Sequence, residues 1–253
     1  MFPTRDTESR RLPRVVVTFA LYSEFASWRR PGGFSKQTFQ QVPIYRAQIG
    51  RADVQVVFVG VGCRREPNAL RTLLIGSDVC IASGLAGGLT RQHRVGDVLV
   101  AAAVMQGNAQ ELSSDRELVQ LAEQCGARRV AHFFTSAAIV NSLQDKTRLG
   151  ANADAVEMET FHVFRQAAEI GVPAVAIRAI SDASDSTIPI DFNRCIGAEG
   201  EMDWLPAVCE AARRPLQIPR LIQFGAQSSR AARNLTQFLN RYISAAVSVG
   251  NSR

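Results

Sequence analysis

The sequence predicts an α/β protein in which helices cover both faces of a central sheet. From about residue 14 to residue 247, apolar runs of strand length alternate with segments of helical periodicity. Several of the runs are apolar throughout, which is typical of strands that are buried on both faces. No linker interrupts this alternation. We therefore expect a single domain at residues 14–250, preceded by a flexible tail at residues 1–13.

The first half of the chain predicts four strands and one helix. The strands are expected at residues 14–20, 42–50, 53–60 and 78–84. The segment PNALRTLLIG, residues 67–76, has helical spacing and tolerates Pro67 in its first turn. Polar or glycine-rich composition predicts loops and turns between these elements. They are a polar loop at residues 22–24, a loop at 29–37, a turn at 60–62 and the GLAGGL turn at 84–89.

The second half of the chain predicts four more strands and three helices. The strands are expected at residues 96–104, 128–136, 154–158 and 173–181. Residues 113–126 have a serine N-cap, acidic residues in the first turn and a closing glycine, so they predict a helix. Residues 160–171 predict a helix that ends at Gly171, and residues 228–247 predict a long amphipathic one. The buried face of the last helix is expected to contain Ala232, Leu235, Leu239, Tyr242 and Ile243.

Composition excludes several classes of partner and site. The formal charge of +6 comes from 29 basic and 23 acidic residues that are spread along the chain, so we expect no nucleic-acid partner. No apolar run reaches the roughly 18 residues of a membrane span. The N-terminal segment lacks the apolar core of a signal peptide, which favours a cytoplasmic location. The five cysteines and three histidines show no metal-binding spacing, so we expect no metal site.

Acidic residues and glycines follow the predicted strands at one edge of the sheet. Glu24, the glycines at 60–62, GLAGGL, Glu159 and Asp182 all fall after strands, where α/β sheets bind ligands. Each acid also has a structural interpretation. Asp182 is compatible with a turn cap, Glu24 with a solvated loop and Glu159 with the first turn of a helix. Their coincidence at one edge favours a composite site.

A buried arginine is predicted beside these acids. Arg178 lies within the apolar strand AVAIRAIS, so its charge requires a carboxylate partner, and Glu24 or Asp182 is expected to supply it. Glu157, two residues before Glu159, is interpreted as structural.

Three motifs together carry a family resemblance. GLAGGL followed by GDVLVA, then AVEMET, then GVPAVAIRAISDASD resembles the nucleoside phosphorylase superfamily over about residues 14–247. The branch it is most similar to contains the methylthioadenosine/S-adenosylhomocysteine nucleosidases and related hydrolases, including hopanoid-associated ones. The resemblance implies a three-layer α/β/α sandwich around a mixed central sheet. It also implies cleavage of an N-glycosidic bond in a nucleoside without a metal or organic cofactor, and a homo-oligomer, with a dimer favoured.

The resemblance implies roles for individual residues. Asp182, in RAISD, matches the acid that protonates the purine N7, and Glu24, in ALYSE, matches the glutamate that activates the attacking water. Glu159 matches the carboxylate that binds the ribose hydroxyls, and Met158 matches the residue packed under the sugar. The other substrate-binding positions of this hypothesis are Val140, Ile139, Ser181, Arg178, Gly62, Ala86 and Gly87.

The chemistry of the reaction suits these acids. The base is a poor leaving group and the sugar becomes an oxocarbenium-like cation, so one carboxyl group must donate a proton while another activates water. Each acid–base contribution typically changes the rate by about 10²–10⁴. Asp182 must be protonated when the base binds, whereas Glu24 must be ionised.

Alternatives remain at this stage. The loop FALYSEFA has a glutamate and no arginine, which favours hydrolysis over phosphorolysis, but Arg64 and Arg65 are a possible anion site for a phosphorylase. A protein that binds nucleosides without catalysis is the alternative from another class, and the intact acids argue against it.

The substrate pocket departs from the usual nucleosidase pattern on the 5′ side. Ile139 replaces the common aromatic residue. Residues 184–204 are expected to form a lid whose Phe192 and Trp204 line the 5′ side of a modified adenine nucleoside.

Overall fold

The structure, a computed structural model, describes residues 12–65, 67–107, 110–203 and 215–249, together with Leu205 and Arg213. Most of the predicted tail at residues 1–13, and Trp204 of the predicted lid, lie outside the described residues. Within the described part of the chain, no helix combines the length and apolar character of a membrane span.

The described residues form ten strands and six α-helices. The strands are β1 (Arg14–Phe19), β2 (Ser35–Phe39), β3 (Val42–Ile49), β4 (Ala52–Phe58), β5 (Val79–Gly88), β6 (Val98–Gln106), β7 (Gln110–Ser113), β8 (Arg128–Thr135), β9 (Ala155–Glu157) and β10 (Ala174–Asp182). The helices are α1 (Tyr22–Arg29), α2 (Pro67–Leu74), α3 (Arg116–Gln124), α4 (Leu143–Leu149), α5 (Thr160–Ile170) and α6 (Ile218–Val249).

All ten strands belong to one mixed sheet. β1 lies between β4 and β5 and is parallel to both, while β3 pairs antiparallel with β4 and with the edge strand β2. β5 is long enough to pair also with β10 and β9. Because β10 pairs with β6, β6 with β8, and β8 with β9, these five strands close a circuit. The site described below lies where β1, β5 and β10 end.

Helices cover both faces of the sheet, as predicted. On one face α1, α3 and α6 bury side chains such as Phe25, Val119 and Leu239 in a continuous apolar core. On the other face α2 and α5 bury Leu70 and Phe164. The predicted apolar face of α6 is confirmed, since Ala232, Leu235, Leu239, Tyr242 and Ile243 are all buried. The three-layer arrangement expected from the resemblance is therefore confirmed.

The prediction that GLAGGL forms a turn is wrong. Residues 84–88 continue β5, and Gly87 and Gly88 pair with Val156 and Ala155 of β9. Glycine is required here for close approach rather than for a turn, because a Cβ at Gly87 would lie 3.2 Å from Asp182 Oδ2.

Two predicted loops are also wrong in part. Residues 22–24 begin α1 rather than forming a polar loop, because the Glu24 carboxylate accepts hydrogen bonds from the Ala20 and Leu21 backbone N–H groups. An acid three residues into the helix thus takes the place of a conventional N-cap. Residues 35–37, predicted as loop, belong to β2, whose exposed polar side chains give no hydrophobic signal.

Helix boundaries differ from the prediction in two places. α3 is capped by Asp115, whose side chain accepts from the backbone of Glu117 and Leu118, and not by a serine. α6 begins at Ile218, well before the predicted start at residue 228. The prediction also missed α4 and β7, both short elements with few apolar residues.

Candidate active site

Glu24 is positioned by the junction between β1 and α1. One carboxylate oxygen accepts from the backbone N–H groups of Ala20 and Leu21, each at 3.0 Å, and the other accepts from Leu85 at 2.7 Å. The side chain is buried and faces a cavity. Burial raises the pKa of Glu24 above its ordinary value, although the charge of Arg178 and the three backbone hydrogen bonds oppose that rise.

Gly84 on β5 allows two charged groups to approach the backbone. Its φ is +146°, and a Cβ there would lie 2.5 Å from Arg178 Nη1 and 2.8 Å from Glu24 Oε1. No side chain larger than hydrogen fits without displacing them. Gly84 is therefore a positioning element of the site that the motif alone did not reveal.

Arg178 is fully buried and its partners differ from those predicted. Its Nη2 donates to Glu157 Oε2 at 2.5 Å, to Thr160 Oγ1 at 2.8 Å and to Glu159 Oε2 at 3.3 Å. Neither Glu24 nor Asp182 is hydrogen-bonded to it. The charge of Glu24 still acts on Arg178, so the prediction holds for Glu24 as an interaction without direct contact and is wrong for Asp182. The β9–α5 corner brings Glu157 and Glu159 to one guanidinium, because only one residue separates them.

Glu157 makes structural hydrogen bonds and also lines the cavity, so its interpretation as a structural residue stays a prediction. Its Oε2 also accepts from the backbone N–H groups of Glu159 and Thr160, at 2.9 Å and 2.7 Å, and its Oε1 accepts from the Thr135 hydroxyl. These bonds fix the start of α5, which bears Glu159. Burial lowers the pKa of Arg178, but the nearby carboxylates raise it by more. The guanidinium therefore stays charged and neutralises part of the carboxylate charge.

Glu159 lines the cavity and lies near the charges of Arg178, Glu157 and Glu24. Its Oε1 accepts from the backbone N–H of Gly62 at 3.0 Å. Burial, with help from the charges of Glu157 and Glu24, raises the pKa of Glu159 to about 7, against the opposing charge of Arg178 and the bond from Gly62. The carboxyl group therefore changes its protonation state near neutral pH.

Asp182 lines the same cavity, at the carboxyl end of β10. The pairing of β10 with β5 shifts register between Ile180 and Asp182, and such irregularities redirect side chains near functional sites. Asp182 Oδ1 accepts from the Ser181 hydroxyl at 2.7 Å. The other oxygen, Oδ2, accepts from Lys146 Nζ at 2.5 Å.

Lys146 is the main residue that the sequence prediction missed. It lies on α4 and is buried, although α4 was not recognised as an element. A signal was present in the sequence, because the chain contains only two lysines, Lys36 and Lys146, against a large excess of arginine. A lysine buried against an acid at a cavity wall is a functional candidate.

One cavity of about 870 Å³ unites these groups. Among the predicted site residues, the cavity lining includes Glu24, Asp182, Glu159, Met158, Val140, Ile139, Ser181, Ala86 and Gly87. Ser228 and Ser229 of α6 also line the cavity, one end of which is apolar and is formed by the 188–202 segment and the start of α6. Its side chains are Ile188, Phe192, Met202, Ile218, Leu221, Ile222 and Phe224.

The remaining predicted site residues lie outside the lining. Arg178 lies behind the glutamates, and Gly62 contributes its backbone N–H to Glu159. The side chain of Arg64 is exposed and directed to the Gly197 carbonyl at 3.5 Å, and Arg65 is also absent from the cavity wall. The geometry thus gives no support to an anion site at Arg64 and Arg65.

The predicted lid contributes to the site only in part. Phe192 contacts the cavity and packs against Phe224 of α6, with ring centroids 5.7 Å apart. Asn193 anchors the segment, because its side chain bonds both backbone groups of Ile139. Among the described residues, no group of three or more His, Cys, Asp or Glu side chains has the arrangement of a metal site.

The sequence matches known proteins over most of its length. A family model described as the phosphorylase superfamily matches residues 22–244. A 5′-methylthioadenosine/S-adenosylhomocysteine nucleosidase of Shewanella oneidensis is 26% identical over 194 residues, which are 66% of this chain and 82% of that protein. The enzyme of the same description from Shewanella halifaxensis is 26% identical over 194 residues, covering 66% and 84%.

Solved structures share the fold. A futalosine hydrolase mutant of Helicobacter pylori superposes with a TM-score of 0.69 at 17% identity, covering 91% of this chain and 98% of that one. A 5′-methylthioadenosine/S-adenosylhomocysteine nucleosidase of Neisseria meningitidis gives a TM-score of 0.69 at 19% identity, covering 92% and 99%. At these identities the superpositions establish the architecture alone. The family model spans nearly all of the described domain, and by that match the chain belongs to the phosphorylase superfamily.

Proposed function

We propose that the protein is a nucleosidase that hydrolyses the N-glycosidic bond of a purine nucleoside, with a 5′-modified adenine nucleoside as its substrate. The observation that carries this proposal is the convergence of Glu24, Glu159 and Asp182 on one cavity. The nucleosidase descriptions of the relatives from Shewanella support the same class of reaction.

The proposed reaction assigns a separate task to each acid. Asp182 donates its proton to N7 of the purine, and the bond between C1′ and N9 breaks with its electron pair going to the base. A water molecule forms the new bond at C1′, and Glu24 accepts the proton that this water loses. Glu159 accepts hydrogen bonds from the ribose hydroxyls. Water is the only co-reactant, and the two acids exchange protons with solvent afterwards.

Charge at the water position supports hydrolysis over phosphorolysis. The ionised Glu24 suits a water molecule and repels phosphate. Among the described residues that line the cavity there is no arginine or lysine to bind phosphate. The one arginine nearby, Arg178, is already engaged by Glu157 and Glu159.

The apolar end of the cavity supports a modified 5′ position. An unmodified ribose carries a hydroxyl there, which apolar side chains such as Ile188, Phe192 and Met202 do not solvate. An apolar 5′ substituent matches this lining. Part of the predicted 184–204 segment, Phe192 included, therefore has a proposed role in selecting the substrate.

The direct test is release of adenine from methylthioadenosine, S-adenosylhomocysteine, 5′-deoxyadenosine and adenosine, each with and without phosphate. We expect release without phosphate and a preference for apolar 5′ groups. Release that requires phosphate would replace hydrolysis with phosphorolysis. Binding of these compounds without release by the wild-type protein would favour a non-catalytic nucleoside-binding protein.

Two variants test the assigned acids. Asp182→Asn and Glu24→Gln are each expected to lower kcat by about 10²–10⁴, the usual contribution of a general acid or base. Glu169→Gln is the matched control, because Glu169 is exposed and forms an ion pair with Arg71 on the surface. Retention of most of the turnover by Asp182→Asn contradicts its role as the acid.

A further inference from the structure

Lys146 lies behind Asp182 and has no task in the proposed reaction. Its ammonium donates to Asp182 Oδ2 at 2.5 Å, to the Ala183 carbonyl at 2.8 Å and to the Ser186 carbonyl at 3.0 Å. An ammonium has three N–H donors, so each has an acceptor. The side chain is 1% exposed and does not line the cavity. Lys146 therefore acts on Asp182 and not on the substrate directly.

Burial of the Lys146 ammonium costs free energy. A buried ammonium loses its hydration, and the loss is offset only by good partners. Here the partners are one carboxylate and two carbonyls of the turn that follows β10. The bonds tie α4 to the end of β10 and fix the carboxylate from one side, while the Ser181 hydroxyl bonds its other oxygen.

Other charged groups near the pair do not replace Lys146. On α4, Asp145 and Arg148 bond each other on the exposed face. Asp185, on the turn after β10, is exposed, and Glu24 and Glu159 lie on other parts of the cavity wall. Among the described residues, Lys146 is the one cation that forms an ion pair with Asp182.

We propose that Lys146 is a positioning residue that strengthens Asp182 as an acid by stabilising the carboxylate formed when the proton moves to the base. This inference rests on the proposed function, in which Asp182 is the general acid. A neutral Asp182 donates its proton to N7 and becomes a carboxylate in the transition state. The ammonium 2.5 Å away lowers the energy of that charge, and the burial of both side chains strengthens the interaction.

The same interaction predicts a pH dependence. The reaction requires protonated Asp182, so loss of this proton lowers the activity. An adjacent cation favours the carboxylate over the protonated acid. Removal of Lys146 is therefore expected to move the alkaline limb of kcat/KM to higher pH. It is also expected to lower kcat on the acidic side of the profile, where Asp182 is protonated in the variant and in the wild-type protein.

The first experiment compares pH profiles of Lys146→Met and Lys146→Gln with the wild-type protein. Methionine preserves the length of the side chain without charge or donors, and glutamine retains donors without charge. We expect both variants to shift the alkaline limb upward by about one pH unit or more. They should also lower kcat at least about tenfold at the acidic plateau. Lys36→Met is the matched control, because Lys36 is exposed on β2 and is the only other lysine.

A purely structural role gives a different result. If Lys146 only anchors the turn at Ala183 and Ser186, the variants lose stability and activity by the same factor at every pH. A profile that coincides with the wild-type profile after scaling, in variants with native circular dichroism spectra, would overturn the proposal.

The second experiment does not depend on activity. Lysine labelled with ¹³C at Cε gives two signals in this chain, and Lys36→Met assigns the remaining one to Lys146. Asp182→Asn is expected to move the Lys146 signal and to leave the Lys36 signal unchanged. An unmoved Lys146 signal would contradict the ion pair itself.

The experiments distinguish a failure of the proposed function from a failure of the inference about Lys146. Absence of base release by the wild-type protein, or full activity of Asp182→Asn, refutes the proposed function. Active wild-type protein, inactive Asp182→Asn and an unchanged pH profile in the Lys146 variants refute only the inference about Lys146.

Discussion

Three glutamates and one arginine share a buried position beside the cavity. Glu24, Glu157 and Glu159 all interact electrostatically with Arg178, so the cluster has an excess of negative charge when every group is ionised. Part of this repulsion is relieved by backbone N–H donors and part by protonation. Glu157 and Glu159 each accept one hydrogen bond from Arg178, and all three glutamates line the cavity. A negative site suits a cationic sugar transition state.

The shifted titration of Glu159 predicts how stability depends on pH. Its pKa is raised from 4.5 to about 7, so the folded protein retains a proton that the unfolded chain releases in this window. The contribution of Glu159 to stability is full below pH 4.5 and is lost as the pH rises through about 7. Glu159→Gln removes this contribution. The unfolding free energy, measured by urea denaturation, should therefore change less between pH 4.5 and 7 in the variant than in the wild-type protein.

The control for this measurement is Glu169→Gln, which removes an exposed carboxylate and should retain the wild-type slope. A Glu159→Gln slope equal to that of the wild-type protein would mean that Glu159 titrates normally in the folded state.

At the scale of elements, β5 determines the geometry of the site. The strand passes between β1 and β10 and presents Gly84, Leu85 and Gly87 to the charged side chains of its neighbours. The Leu85 N–H binds Glu24, and the absence of a side chain at Gly84 makes room for Arg178. Thus the glycines of GLAGGL serve close packing between strands.

Gly84→Ala is expected to abolish most of the activity and to destabilise the fold. The new Cβ would lie 2.5 Å from Arg178 Nη1 and 2.8 Å from Glu24 Oε1, so both groups must move. We expect kcat to fall at least about 100-fold, as for loss of a general base. Thermal melting and adenine release measure the two effects.

Gly126→Ala is the matched control for backbone strain. Gly126 has a φ of +99° but nothing within 4 Å of the added Cβ. It should therefore show only the conformational cost of about 1–2 kcal/mol and retain activity. Equal losses in the two variants would assign the effect of Gly84→Ala to backbone strain alone.

At the scale of the whole molecule, distant segments combine to form the cavity. Its polar end comes from the ends of β1, β5 and β10 and from the β9–α5 corner, and its apolar end from residues 188–202 and the start of α6. Because α6 begins at Ile218, its first turns line the cavity. The polar end performs the proposed chemistry and the apolar end selects the substituent.

A series of 5′-alkylthio adenosines tests this division. Each buried methylene contributes about 0.8 kcal/mol, so KM should fall up to about fourfold per methylene until the apolar end is filled. Phe192→Ala should weaken this gain with chain length, while leaving adenosine itself little affected. A KM that is independent of chain length in the wild-type protein would contradict an apolar 5′ subsite.

The sequence by itself determined the layers and most strands, and it predicted that Glu24, Glu159 and Asp182 lie at one edge of the sheet, where they line one cavity. Strong apolar runs and periodic helices arise from local patterns, and the three motifs identify the superfamily. Weakly patterned elements escaped prediction because β2 is exposed and α4 is short.

Only the tertiary structure decided which charges meet. The carboxylates that bond Arg178 directly are those of Glu157 and Glu159 rather than Glu24 or Asp182. The partner of Asp182 is Lys146, 36 residues away in the chain. Sequence patterns report burial and local spacing, whereas an ion pair between elements depends on strand register and helix position. The same reason explains GLAGGL, whose glycines are required by side chains of β10 and α1 that approach only in the folded sheet.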